Sequence, residues 1–110
     1  MQKSSLTALA RQQLELARAA SSGRSAATVY GGHEHVLRQT VIAIVGGRGL
    51  DEHVNPGEAT VHVLSGRVIL NAAGNAWNGS PGDLLIVPES VHNLQAVEDS
   101  VVLLTVAKTP

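Results

Sequence analysis

The chain predicts an all-β domain, an antiparallel sandwich or barrel, preceded by one N-terminal α-helix. Three observations carry this. Short runs rich in Val, Ile, Leu and Thr recur from Ala26 to the end, each closed by Gly, Pro, Asn or Asp. No stretch of helical period separates one run from the next, which argues against parallel strand–helix–strand units. The apolar fraction of 44% comes almost wholly from Val, Leu, Ile and Ala, with no Phe and one Trp, a composition suited to sheets.

The helix is expected over residues 4–20. Ser4 or Ser5 can cap it, Ala and Leu dominate it, and Gly23 ends it. Leu6, Leu9, Gln13 and Leu16 share one face, which is narrow and broken by Gln13. Such a helix lies on the outside of a domain or against a partner chain. Strands follow over 26–30, 35–45, 50–54, 59–64, 67–72, 76–78, 83–87, 91–97 and 100–107. Turn residues separate them, notably Gly31-Gly32, Gly46-Gly47, Asn55-Pro56-Gly57, Ser65-Gly66, Gly74-Asn75 and Pro81-Gly82. At 110 residues this is one domain, divided into a helix and connector (1–25) and a β domain (26–110).

Composition narrows the function classes. Eight Lys plus Arg against nine Asp plus Glu give a net charge of −1, and the basic residues are scattered, so neither nucleic acid nor an anionic membrane is expected as partner. Cysteine is absent, which removes disulfides, thiolate metal sites and a Cys nucleophile. Arg11, Gln12, Gln13 and Glu15 interrupt the N-terminal apolar run, so it reads as neither signal peptide nor membrane span. A soluble, cytoplasmic protein is the expectation.

Two segments carry the chemistry, Gly47 to Gly66 and Gly82 to His92. Each sets one histidine beside a strand. Alternation puts His53 and Asn55 on one face, and Ala59, Val61 and Val63 on one face of the returning strand. Pro88 breaks the ladder before His92 opens the next strand. Closure into one small barrel would let His53 and His92 meet.

These segments resemble the two motifs of the cupin superfamily, whose members are small antiparallel β-barrels of the jelly-roll type. The first motif runs Gly, five residues, His, one residue, His, three or four residues, Glu, six residues, Gly. Gly47, His53 and Gly66 match it in register, with Asn55 in place of the second His and Ala59 in place of the Glu. In the second motif Gly82 and Pro88 match, Ser90 replaces a Gly, His92 comes one residue early and the closing Asn is missing. The resemblance covers roughly residues 40 to 107 and implies a cupin-type barrel with one N-terminal helix. Metal-dependent members hold an ion with three imidazoles and a carboxylate, of which the resemblance carries over only His53 and His92.

Two imidazoles and several waters make a loose site for a divalent transition metal, Zn, Fe, Mn, Ni or Cu. Glu58 lies one residue from the expected carboxylate and could complete the site, and Asn55 could hydrogen-bond a bound water. His62 should face away from Ala59 unless a bulge intervenes. His33-Glu34-His35 reads as a chelate or, more simply, as a solvated turn. His53 and His92 also admit a bland reading, as partly buried histidines bonded to each other or to backbone. Trp77 reads as a cap on the far end of the barrel.

Three functions follow as expectations. One is a small metal-dependent enzyme of the oxygenase, isomerase or lyase kind seen in similar cupins, with Glu58 or a bound water handling protons. The second is a binding or sensing module whose small-molecule ligand is enclosed by Val61, Val63, Leu85, Val87 and Leu94 and oriented by the histidines. The third is a structural dimer with a remnant pocket. A homodimer is expected in any case, because the run from Ser100 to Val106 is apolar on both faces.

Overall fold

A computed structural model of the chain describes residues 1–53 and 57–108, with the side chain of His53 outside the description. Helix α1 (Leu6–Ala19) begins at Ser5, whose Oγ accepts from the Ala8 amide at 3.2 Å. Its packed face differs from the expected one. Leu6, Leu9, Ala10, Leu14 and Ala17 meet the sheet, whereas Leu16 is 52% exposed. Gln13 is buried, and its Oε1 accepts from the Ser25 hydroxyl at 2.6 Å. Leu14 turns inward with Ala10 and Ala17, and Leu16 turns out.

Among the described residues nine strands follow: β1 (Arg24–Tyr30), β2 (Leu37–Ile44), β3 (Gly49–His53), β4 (Gly57–Ser65), β5 (Val68–Ala72), β6 (Asn75–Gly79), β7 (Leu84–Val87), β8 (His92–Ala96) and β9 (Ser100–Lys108). They form two antiparallel sheets, ordered β1-β2-β9-β4-β7 and β3-β8-β5-β6. The sheets face each other as an open jelly-roll sandwich. The expected closed ring of strands is replaced by two ladders, because β2 to β3 and β4 to β5 cross between sheets through glycine-bearing loops. Isolated bonds tack these crossings down, such as Gly47 N to Ala96 O and Val97 N to Arg67 O, both 2.9 Å.

Side chains alternate as the period of two requires. Ile42, Ile44, Ala59, Val61, Val63, Val68, Leu70, Leu94, Val102 and Val106 fill the space between the sheets. Each buried Val, Leu or Ile is worth about 1.5–3 kcal/mol relative to exposure. On the other face of the five-stranded sheet, Val41, Ala43 and Val101 pack under α1, and Leu103 borders the same cluster. The doubly apolar β9 is therefore covered on both sides over part of its length by its own chain. Trp77 stands on the edge strand β6 opposite Leu70 and is 46% exposed. No helix among the described residues is long and apolar enough to cross a membrane.

One corner ties helix and sheets together. Asp99 accepts from the Gly46 amide at 2.9 Å through Oδ1 and from Arg18 Nε at 2.8 Å through Oδ2. Beside it Ser100 is fully buried, its Oγ accepting from the Arg67 amide at 2.9 Å with Glu98 O at 2.7 Å as an acceptor in reach. Gly66 passes behind this corner at φ +79°, where a Cβ would collide with Asp99 O and Ser100 Oγ. Gly74 has the same φ of +79° with open space around it.

Gly66→Ala is expected to lower unfolding stability by about 3 kcal/mol, strain plus collision, against about 1 kcal/mol for Gly74→Ala, read by thermal melts. The Gly46 amide and then the Arg18 guanidinium hold the Asp99 carboxyl below its ordinary value of 3.8. A depressed carboxyl stabilises the fold above its unfolded value and loses that contribution as pH falls through the folded one. The melting-temperature gap between wild type and Asp99→Asn should therefore be full at neutral pH and close as the solution is acidified below 3.8.

Candidate functional site

The histidines meet along one ladder. β3 and β8 pair Gly49 with Gln95 and Leu50 with Leu94, then slip by a bulge so that His53 stands across from His92. On the far side of β8, Ala72 of β5 pairs with the same His92. Only the backbone of His53 belongs to the described residues, and Asn55 lies outside them altogether.

His92 alternates with Leu94 and Ala96 toward the interior and is 5% exposed. Its Nδ1 lies 2.9 Å from the Ser90 carbonyl oxygen. A carbonyl only accepts, so the Nδ1 facing it carries a hydrogen and donates. Pro88, two residues before Ser90, stops β7 and lets the chain curl until that carbonyl reaches the ring. Ser90 Oγ is buried and has no hydrogen-bond partner among the described residues. A groove of about 510 Å³ opens here, lined by Glu52, Asn71, Ser90, His92, Asn93 and the β5–β6 hairpin.

The remaining candidates disperse. Glu58 is exposed and faces away from Ala59, bordering a separate groove of about 470 Å³ with Thr60, Ile86 and Glu89. Without a bulge at the start of β4, one residue of offset is enough to put the carboxylate on the outer face. Val61, Val63 and Leu94 are buried in the core and Leu85 packs against it, so they fill the interior against one another. His62 takes the outer face, between Leu84 and Leu103 in register. His33, Glu34 and His35 occupy an exposed turn, with the His35 ring 5.1 Å from that of Tyr30. Among the described residues no three His, Asp or Glu side chains gather as an ion-binding group.

Two features escaped the sequence reading. Ser90 appeared there only as a motif mismatch, although its distance from His92 is that of a carbonyl that can hold the ring. The amides Asn71, Asn93 and Gln95 also went unremarked, yet β8 alternation puts Asn93 and Gln95 opposite in facing to His92 and Leu94.

No family model and no curated protein matches the chain. Solved structures do. A conserved protein of unknown function from Streptococcus pyogenes superposes with a TM-score of 0.73 at 26% identity, covering 83% of this chain and 79% of that one. A cupin superfamily protein from Desulfitobacterium hafniense gives 0.73 at 14% identity over 78% of each chain. KdgF from Halomonas sp. gives 0.66 at 21% identity, covering 78% of this chain and 80% of that one. Likeness this close at such low identity speaks to architecture, and that architecture is the one seen in cupin proteins.

Proposed function

We propose that the His53–His92 end of the four-stranded sheet binds a divalent transition metal and, beside it, a small molecule admitted through the adjoining groove. The observation that carries this reading is the fixed ring of His92. A metal-binding imidazole keeps its coordinating nitrogen basic by donating from the other nitrogen to a carbonyl or carboxylate, the arrangement that Nδ1 and Ser90 O form. His53, across the ladder, is the partner donor. The buried Ser90 hydroxyl adds a polar group at the groove that a bound ligand or water would satisfy. The donor set fits a loosely held ion of Zn, Fe, Mn, Ni or Cu with positions left for ligand oxygen or nitrogen. When bound, such an ion supplies Lewis acidity.

The chain's own residues bind and orient more readily than they transfer protons. Glu58, which the sequence offers beside a bound water as the group that handles protons, stands on the outer face of the opposite sheet. A ligand-binding or sensing role is therefore favoured over an oxygenase or isomerase role. We further propose that a second copy covers the five-stranded sheet. Its edge strand β7 exposes Leu84 at 58% and Ile86 at 62%, in register with His62 and Thr60.

Protein loaded with Zn²⁺ and freed of excess by gel filtration should retain one ion per chain by elemental analysis, and His92→Ala and His53→Ala should each lose it. Retention below a tenth of an ion per chain in wild type would overturn the metal reading, and retention in both variants would move the ion elsewhere. Sedimentation at micromolar concentration should give a dimer, and the Leu84→Glu/Ile86→Glu pair a folded monomer; a wild-type monomer would remove the second copy.

A further inference from the structure

The outer face of the four-stranded sheet carries a carboxamide array, of which Asn71 and Asn93 also border the groove beside His92. Asn71, Asn93 and Gln95 stand on adjoining strands, with Asn71 opposite Asn93 and Ile69 opposite Gln95. They face away from the interior occupied by His92, Leu94 and Ala96. The Asn71 amide nitrogen donates to Asn93 Oδ1 at 2.9 Å and lies 3.3 Å from Gln95 Oε1. Its two hydrogens thus lock three carboxamides into one array. That array leaves Asn71 Oδ1 as an acceptor and the amino groups of Asn93 and Gln95 as donors.

A groove of about 510 Å³ runs along this face. Gly47, where an added Cβ would meet nothing, leaves it open, Ile69 contributes an apolar patch, and Arg48, Asp51 and Glu52 border it. A primary amide offers a donor and an acceptor side by side without charge, which complements neighbouring hydroxyls that each donate and accept. The Arg48 guanidinium and the Glu52 carboxylate add a charged donor and a charged acceptor for further hydroxyls. Cross-strand bonding orders the amides before any ligand arrives, which lowers the entropy lost on binding.

We propose that this face binds a saccharide through the Asn93 and Gln95 carboxamides, ordered by Asn71, on the side of the sheet opposite to the one His92 faces. The test is an NMR titration of ¹⁵N-labelled protein, chelator-treated, with the methyl glycosides of glucose, galactose and mannose. At least one glycoside should shift the side-chain amide signals of Asn93 and Gln95 saturably, and the double variant Asn93→Ala/Gln95→Ala, with an unchanged melt, should bind about tenfold more weakly.

Three results would overturn the proposal: no saturable shift with any of the three glycosides, equal affinity in the double variant, or binding that needs added metal. The last would place the sugar on the histidines. Failure of metal retention, by contrast, leaves this outcome untouched, so the two readings fall separately.

Discussion

Register in the β3–β8–β5 ladder is the constraint on which the rest of this molecule depends. Leu94 must face the core opposite Leu50 and Leu70, and that demand sends His92 inward and Asn93 and Gln95 outward. A slip of one residue would exchange the two sets, burying amides and exposing the imidazole. The bulge in β3 is the local device that reconciles the pattern, since it lets Leu50 keep its core position while His53, three residues on, still reaches the row of His92. Hydrophobic packing thus decides where the polar chemistry goes.

A second constraint lies at the turn before β9. Asp99 gathers the end of α1 and the β2–β3 crossing, and Ser100 gathers the β4–β5 crossing at Arg67. Crossings between sheets leave backbone groups without ladder partners, and buried ones must be satisfied by some other group. Two short polar side chains next to each other do this for three segments distant in sequence. Gly66 lies hard against them because no other residue leaves room.

Strand positions were readable from sequence because turn residues and branched aliphatics alternate cleanly. The expected runs over 59–64, 67–72 and 100–107 correspond to Gly57–Ser65, Val68–Ala72 and Ser100–Lys108. Alternation also placed His62 opposite in facing to Ala59. The helix face was misjudged at one edge, since Leu14 and Leu16 are equally apolar and the packing of Ala10 and Ala17 against the sheet brings Leu14 in and leaves Leu16 out. The open sandwich was not readable either, because strand pattern fixes facing and not whether edges join. Glu58 illustrates the limit at the site: counting along the chain brought it within one residue of a ligand position, and in a strand one residue is the other face. Ser90 acts through its carbonyl, which every residue has, so no side-chain motif could announce it.

The lone indole has a practical meaning. With no Phe, one Tyr at the end of β1 and an aliphatic interior, the fluorescence of this chain originates almost entirely at Trp77, half in solvent on the rim strand β6. Its emission therefore reports on fraying of that rim and is nearly blind to loosening among the valines and leucines behind it. An optical melt and a calorimetric melt of this molecule watch different parts of the same body.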